Sequence, residues 1–486
     1  MNYETVIGME VHVELHTKSK MFCRCPADHF QVDANQHICP VCTAQPGALP
    51  VINGRAIELT VMTGMALGCE IRPHSVFARK NYVYPDLPKG YQVSQYELPL
   101  CEHGRIRIAG DGDTEKHIAI ERVHLEEDAG KLQHQGNASL VDYNRAGVPL
   151  MEIVTDASIR SADEACAYLL KIRQLVRYLG ASTGDMEKGA MRCEANISVR
   201  VQGTQEFGTK VEVKNLNSFR AVRNAIDYEV RRQIELLEEG GTVRQVTMSW
   251  DESAAVTREM RSKEFADDYR YFPEPDLLDV DVSAEWIAGV RQSLPELPQE
   301  RAARFVESLH LGADDAAMVS EDRTVADWFE QVLAAGADAR AAANWITGEV
   351  FRRLKDTDGA IEEVAVTPEQ LAELISLVTA GTISGSAAKE VFAVMWDDGG
   401  GPAQIIEDRG LQQVSDTGEL EGQVDAVIAE YADAADKIRG GDDKPIQFLM
   451  GMVMKATRGK ANPQMVQQLL RGKLQRDVAS SRRTRR

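Results

Sequence analysis

The 486-residue sequence predicts a mixed α+β fold, in which a strand-rich N-terminal part is followed by helical segments. Three observations support this prediction. Apolar and polar residues alternate over several N-terminal stretches, which is typical of half-buried strands. Two amphipathic helices interrupt those stretches, and the first of them carries cap signals. After the segment Leu294–Pro298, which contains two prolines, the sequence becomes Ala-rich and helical.

Three N-terminal stretches are predicted to be strands. The first places apolar residues on one face and Glu10 and His12 on the other. The second, Met191–Val201, carries Glu194 on its polar face, and the third, Lys210–Lys214, carries Glu212 there. Because side chains alternate with a period of two, these acidic residues are expected to face away from the core.

Two helices are predicted to cover one face of a sheet. The first begins with a capping box made of Ser161 and Glu164 and ends at Gly180. The second runs from about Ser218 to Glu239 and has one apolar side.

Proline and glycine clusters suggest two domain boundaries, at Leu294–Pro298 and in the glycine-rich segment Asp397–Pro402. We therefore predict a strand-rich domain over residues 1–293, a helical domain over 294–402 and a C-terminal helical domain over 403–486.

Charge is distributed unevenly along the chain. The whole sequence has a formal charge of −20, yet from Lys444 onward eleven Lys and Arg residues stand against Asp477 alone, giving +10 there and −30 before it. A basic end on an acidic protein predicts contact with a polyanion, most commonly nucleic acid, while a solvated basic tail is the alternative.

No apolar run is long enough to cross a membrane, and the N-terminus alternates instead of forming an apolar block. The sequence therefore predicts a soluble, cytoplasmic protein that does not bind membranes.

Four cysteines lie close together with the spacing C-x-C-x13-C-x2-C, namely Cys23, Cys25, Cys39 and Cys42. Two such pairs can close a tetrahedron around zinc, so the segment 23–42 is predicted to be a structural zinc knuckle with no position open for substrate. The alternatives are four reduced thiols or a site that has lost its metal.

Carboxylates accumulate on and beside the predicted strands. They are Glu10 with its neighbour His12, then Glu126, Glu127, Glu152, Glu194 and Glu212. Oxygen-rich sites of this kind suit Mg²⁺, which bridges protein carboxylates and nucleotide phosphates. Spacing alone favours the alternative, an ordinary solvated sheet face with scattered salt bridges. The sequence contains no Walker loop and no Rossmann glycine motif, which leaves ATP binding open.

Long motifs distributed along the chain are more specific. They are IGMEVHVELHTKSKMF, FARKNYVYPDLPKGYQVSQYELPL, HLEEDAGK, VDYNRAGVPLMEIV, MRCEANISVR, GTKVEVKNLNSFR, DYRYFPEPDL and, near the end, GMVMKATRGKANP. With these motifs in this order, the sequence closely resembles the B subunit of the tRNA-dependent glutamyl/aspartyl amidotransferases.

The resemblance implies an N-terminal domain with the glutamine synthetase fold, an antiparallel-sheet cradle. It implies an ATP-dependent carbon–nitrogen ligase that works in a heterotrimer with an A subunit, which is an amidase (glutaminase), and a small C subunit. Using ATP and Mg²⁺, the B subunit would phosphorylate the side-chain carboxylate of Glu or Asp mischarged onto tRNA. Ammonia released from glutamine would then displace phosphate, yielding Gln-tRNA or Asn-tRNA; which of the two is made stays open.

The resemblance also implies roles for individual residues. The expected catalytic residues are Glu10, His12, Glu127 and Glu152. The expected Mg²⁺ ligands are Glu10, His12, Glu126, Glu127, Glu152, Glu194 and Glu212, although neighbours such as Glu126 and Glu127 point opposite ways in a strand. Arg79, Lys80 and Arg145 are expected at the phosphates, and Lys455, Arg458 and Lys460 on the tRNA.

Two departures and two alternatives accompany these expectations. Some family members lack the four cysteines, and some have Asp where this chain has Glu194. A stand-alone ligase acting on a small substrate would not need the basic tail. A non-catalytic RNA-binding adaptor with a structural zinc would not need the carboxylates.

Overall fold

The structure is a computed structural model that describes residues 2–109, 115–262, 269–357, 359–413, 417–457, 461–462 and 465–474. The chain divides into two compact units, Met1–Leu297 and Pro298–Arg486. Strands and helices are mixed as predicted, so the α+β class is confirmed. Within the described ranges, no helix combines the length and apolar character needed to cross a membrane.

The described strands belong to the first unit. They are β1 (Tyr3–Glu14), β2 (Glu70–Ile71), β3 (His74–Ser75), β4 (Ala78–Asn81), β5 (Tyr91–Ser94), β6 (Cys101–Ala109), β7 (Glu115–Glu127), β8 (Lys131–Gln135), β9 (Ala138–Asp142), β10 (Pro149–Thr155), β11 (Met191–Val201), β12 (Val211–Leu216), β13 (Val246–Asp251), β14 (Val256–Ser262), β15 (Phe272–Pro273) and β16 (Val280–Asp281).

The helices continue through both units. The first unit contains α1 (Gly54–Ala66), α2 (Ala162–Tyr178), α3 (Phe219–Glu238) and α4 (Ala284–Ser293). The second contains α5 (Pro298–Leu309), α6 (Ala313–Val319), α7 (Arg323–Ala334), α8 (Ala339–Trp345), a π-helical turn Ile346–Val350, α9 (Phe351–Thr357), a 3₁₀ turn Ile361–Glu363, α10 (Pro368–Thr379), α11 (Gly385–Asp397), α12 (Pro402–Arg409), α13 (Thr417–Glu430), α14 (Ala432–Arg439) and α15 (Ile446–Ala456). Residues 465–474 are also helical.

A nine-stranded sheet forms the centre of the first unit, in the order β14-β13-β12-β11-β1-β10-β7-β6-β2. Every neighbouring pair is antiparallel except β12 and β13, which run parallel. The expectation of a purely antiparallel sheet is therefore corrected at this pair. The cause is α3, which connects β12 to β13 as a crossover helix and so returns the chain in the same direction.

The predicted alternation is observed in β1, where Ile7, Met9 and Val11 are fully buried while Glu10 and His12 lie on the other face. The strand predicted over Met191–Val201 coincides with β11. The apolar face of the sheet packs against α1, α2 and α3 in one core. The other face is therefore left to polar side chains.

Serine caps fix where the two predicted helices begin. The Ser161 hydroxyl accepts a hydrogen bond from the Glu164 N–H (3.1 Å), and the Ser218 hydroxyl accepts one from the Ala221 N–H (3.0 Å). In a complete capping box the Glu164 carboxylate would also accept a hydrogen bond from the Ser161 N–H. In the structure it accepts one from the Arg160 N–H (2.7 Å) instead.

The second unit has two separate hydrophobic clusters. One includes Phe305, Phe329 and Phe392 and extends to Ile406 in α12. The other joins α13, α14 and α15 to the helix over residues 465–474 through side chains such as Leu449. The division at residues 402 and 403 stays a prediction.

Candidate active site

Strand register brings the predicted acidic residues together on the polar face of the sheet. In the pairing of β1 with β10, His12 lies opposite Glu152, and in the pairing of β1 with β11, Glu10 lies opposite Glu194. Residues paired in this way point to the same face of a sheet. Carboxylates that are far apart in the sequence therefore converge at its centre.

The first group consists of His12, Glu126 and Glu152. The His12 Nε2 atom lies 3.4 Å from Glu152 Oε2 and 3.5 Å from Glu126 Oε1. One ligand atom from each of the three residues lies within 4.8 Å of the others. His124 Nε2, from the next strand, lies 3.2 Å from Glu152 Oε2 and holds that carboxylate in place.

The second group consists of Glu10, Glu194 and Glu212, whose ligand atoms also lie within 4.8 Å of one another. The Asn196 amide donates to Glu10 Oε1 (2.7 Å), and the Thr247 hydroxyl donates to Glu212 Oε2 (2.7 Å). These contacts orient two of the three carboxylates from residues on neighbouring strands.

Burial and mutual repulsion raise the pKa of two carboxylates on this face. Burial raises the pKa of Glu10, and repulsion from Glu152, Glu194 and Glu212 raises it further. Burial and then Glu152 likewise raise the pKa of Glu126. Burial alone would lower the pKa of His12, but Glu152 and Glu126 raise it to about 9. A divalent ion at each group would relieve this repulsion, so the donor set fits Mg²⁺.

Both groups line one cavity of about 460 Å³. Its other walls carry cations and tyrosine rings, namely Lys80, Arg122, Arg192, Lys214, Tyr82, Tyr96, Tyr269 and Tyr271. Lys214 Nζ lies 2.6 Å from Glu194 Oε2, and Arg192 forms an ion pair with the buried Asp128. The cavity therefore combines metal-binding groups with cations that can contact phosphate.

Glu127 is not brought together with the other carboxylates. Its carboxylate forms an ion pair with Lys89 and accepts from the Val93 N–H (3.0 Å). It lines a second cavity of about 260 Å³. Of the two adjacent residues, the structure places Glu126 beside His12 and Glu152, because successive side chains of β7 point to opposite faces.

Only one of the three cations expected at the phosphates lies in the main cavity. Lys80 lines it, with Nζ 5.0 Å from the centre of the Tyr269 ring. Arg79 donates twice to Glu274, each time over 2.7 Å. Arg145 donates to the carbonyl oxygens of Ala129 and Gly130 (3.0 and 3.1 Å) and thereby holds a loop.

Several residues of the cavity were not singled out from the sequence. Lys214 lies on the same polar strand face as Glu212, and Arg192 lies on the same polar strand face as Glu194. The alternation of side chains along each strand could therefore have identified both cations. Tyr269 and Tyr271 belong to the motif DYRYFPEPDL, but no periodicity places that irregular segment next to the sheet.

The four cysteines converge as predicted, with all four Sγ atoms within 4.8 Å of one another. Cys39 Sγ and Cys42 Sγ lie 3.8 Å apart, which is about the edge of a tetrahedron with zinc–sulfur bonds of ~2.3 Å. The fully buried Lys20 places its Nζ 3.7 Å from Cys42 Sγ. These thiols fit a structural zinc ion.

The predicted tRNA-binding residues lie in the second unit. Lys455 is exposed in the last turn of α15. Arg458, Lys460 and the run from Arg482 to Arg486 lie outside the described residues.

Comparison with known proteins agrees with this geometry. Residues 5–288 match the family model of the GatB/GatE catalytic domain, and residues 327–474 match that of the GatB domain. The chain is 50% identical to the B subunit of the aspartyl/glutamyl-tRNA(Asn/Gln) amidotransferase from Syntrophotalea carbinolica, over 97% of this chain and 98% of that protein. It is 51% identical to the proteins of the same name from Trichlorobacter lovleyi and Moorella thermoacetica, over 98% of this chain and 100% of each of them. The chain therefore belongs to the family formed by the B subunit of the aspartyl/glutamyl-tRNA(Asn/Gln) amidotransferases.

Proposed function

We propose that this chain converts mischarged Glu-tRNA(Gln) or Asp-tRNA(Asn) into Gln-tRNA(Gln) or Asn-tRNA(Asn). It would transfer the γ-phosphate of ATP to the side-chain carboxylate of the attached amino acid. Ammonia would then displace the phosphate. The observation that carries the proposal is the pair of three-residue groups, His12/Glu126/Glu152 and Glu10/Glu194/Glu212, in one cavity.

Activation of a carboxylate by phosphorylation requires bound metal ions and cationic side chains around the phosphate, and the residues of this cavity could provide both. A carboxylate resists attack by ammonia because its carbon is electron-rich and oxide is a poor leaving group, whereas phosphate leaves readily. Phosphoryl transfer asks the protein mainly for positioning and for positive charge around the phosphate oxygens. The two three-residue groups would hold Mg²⁺, which supplies such charge when it is bound.

Two lysine side chains of this chain would supply further positive charge around the phosphate oxygens. Burial would lower the pKa of Lys80, but Tyr271, Glu126 and Glu152 raise it, so the ammonium group stays protonated. Lys214 lies beside the second group, and its pKa is raised in the same way by Glu194 and Glu212. Both ammonium groups can therefore contact phosphate oxygens without a change in protonation.

The remaining expectations belong to the same proposal. The first unit would be the glutamine synthetase-like cradle, and the helical second unit would contribute Lys455, Arg458 and Lys460 to the tRNA backbone. An amidase partner, the A subunit, would release the ammonia, the small C subunit would complete the heterotrimer, and the complex would be cytoplasmic. Zinc at the four cysteines would stabilise the loop that contains them.

The test is amide formation by the complete complex. The chain, purified with its partner subunits, is incubated with mischarged Glu-tRNA(Gln), ATP, Mg²⁺ and glutamine, and Gln-tRNA is measured. Glu152→Gln and Glu10→Gln should abolish the product. Glu115→Gln, which changes an exposed carboxylate at the start of β7, is the matched control and should leave it unchanged.

Two results would contradict the proposal. ATP turnover that ignores mischarged tRNA would indicate a ligase for small molecules. Tight tRNA binding with no metal-dependent ATP turnover would indicate an RNA-binding adaptor.

A further inference from the structure

Tyrosine rings form two groups at the catalytic cavity, Tyr96 with Tyr271 and Tyr269, and Tyr82 with Tyr84. Tyr96 and Tyr271 stack with ring centres 4.3 Å apart and planes within 7° of parallel. Tyr269 meets Tyr271 edge to face at 6.0 Å, and Tyr82 stacks on Tyr84 at 6.1 Å. Four of these rings line the cavity, and Tyr84 lies outside it.

Tyr271 lies beside the catalytic carboxylates, whereas Tyr96 and Tyr84 are exposed at the surface. Burial is the largest cause that raises the pKa of Tyr271, and the nearby charges of Glu126 and Glu152 raise it further. Tyr96 is 43% exposed, Tyr84 is 45% exposed, and Val83, which lies between Tyr82 and Tyr84 in the sequence, is 87% exposed. Aromatic rings arranged in this way are typical of surfaces that bind unpaired nucleotides by stacking.

The proposed reaction supplies such nucleotides. The amino acid of an aminoacyl-tRNA is esterified to the terminal adenosine of an unpaired CCA end, so that adenosine has to lie next to the cavity when the side chain reaches the carboxylates. Resting on the function proposed above, we propose that the terminal adenine of the mischarged tRNA stacks on the pair formed by Tyr96 and Tyr271.

ATP also carries an adenine, and the position of the rings separates the two sources. In phosphoryl transfer the attacking and leaving oxygens lie on opposite sides of the phosphorus. Tyr271 lies on the side of His12, Glu126 and Glu152. On the other side, beyond Glu10, the sheet face continues into a cavity of about 320 Å³ lined by Gly8, Asn196 and Ser198. This cavity of about 320 Å³ leaves room for the leaving nucleotide, so we assign the side with the tyrosine rings to the tRNA that accepts the phosphate.

Kinetics of the complete complex test the assignment. Tyr96→Ala and Tyr271→Ala should each raise the KM for Glu-tRNA about 5- to 150-fold, which corresponds to loss of one stacked base. The KM for ATP should stay within about twofold of the wild-type value. Tyr96→Phe and Tyr271→Phe keep the ring and should behave as wild type, and Trp286→Ala removes an exposed ring from α4 as a remote control.

A binding measurement covers the case in which an alanine variant loses activity through misfolding. Wild-type complex should bind intact tRNA more tightly than tRNA without its terminal adenosine, and Tyr96→Ala should abolish that difference. A rise in the KM for ATP alone, or a preference for the intact end that survives Tyr96→Ala, would overturn the assignment. Wild-type complex that forms no Gln-tRNA would instead refute the proposed function, and the two failures are therefore distinguishable.

Discussion

Replacing Glu126 and Glu127 one at a time with glutamine separates two neighbours that lie on opposite faces of β7. Glu126 shares a possible metal site with His12 and Glu152, whereas Glu127 is paired with Lys89 in another cavity. Both changes remove one buried carboxylate charge and keep nearly the same volume. Each variant is therefore the control for the other.

The expected magnitudes follow from the distances. At an effective dielectric constant of ~20, a unit charge at the 4.8 Å limit of the group contributes about 3.5 kcal/mol to binding of another unit charge. A divalent ion in direct contact gains more, so Glu126→Gln should raise the Mg²⁺ concentration for half-maximal activity at least about 100-fold. Glu127→Gln leaves Lys89 without its carboxylate and, because that lysine is partly exposed, should cost about 1–3 kcal/mol of stability.

The assay measures ATP cleavage by the complete complex, with mischarged tRNA present, as a function of Mg²⁺ concentration. Binding of Mn²⁺, followed by electron paramagnetic resonance, reports the metal site without requiring turnover. Thermal unfolding of each variant reports stability. If Glu127→Gln shifts the Mg²⁺ dependence as much as Glu126→Gln, or if Glu126→Gln leaves it unchanged, the assignment of Glu126 as the ligand is refuted.

Three further results are expected. In metal-free protein the His12 imidazole should titrate near pH 9 by NMR. Because this folded pKa exceeds the unfolded value of ~6.5, protonation of His12 should add about 3 kcal/mol to the free energy of unfolding below pH ~6.5. That contribution should be lost as the pH rises through 9. Saturating Mg²⁺ should move that titration below pH ~7, and an unchanged titration would exclude His12 as a ligand. Because Lys20 lies beside Cys42, Lys20→Met should speed the loss of zinc to a chelator at least about tenfold. Lys18→Met, at an exposed position two residues away, should leave the rate unchanged. Equal rates in the two variants would show that Lys20 does not stabilise the thiolate at Cys42. Lys455→Gln should lower the slope of log tRNA affinity against log salt by about 0.7–0.9, and an unchanged slope would place Lys455 off the RNA backbone.

The features that sequence alone predicted well are those set by local periodicity. Alternation placed Glu10 and His12 on one face of β1, and β11 coincides with its predicted range Met191–Val201. The capping box at Ser161 predicted where α2 begins, and the apolar side of the second helix indicated a start near Ser218, where α3 begins. Each of these depends on contacts within a few residues, which a sequence records directly.

Features that depend on distant partners were not predictable in this way. The resemblance implies that Arg79 contacts phosphate, yet Glu274, 195 residues further along, binds its guanidinium. The parallel pairing of β12 with β13 depends on the path of α3 over the sheet. The choice between Glu126 and Glu127 depends on which face of β7 becomes part of the polar face of the sheet through its pairing with β10, and no local pattern contains that information.

The sheet itself explains why its polar face brings two groups of possible metal ligands side by side. Adjacent strands lie about 4.8 Å apart, and directly paired side chains begin about 5 Å apart, so carboxylates in register are already close enough to share an ion. A β-bulge in the pairing of β11 with β12 determines which face of the sheet Glu212 points to. The register shifts between Cys193 and Ala195, and Asn215 on the partner strand adopts a left-handed conformation with φ of 64°. The extra residue lets Glu212 face the metal group while Leu216 returns to the core. Removing it would shift the register by one residue and carry one of these two side chains to the wrong face.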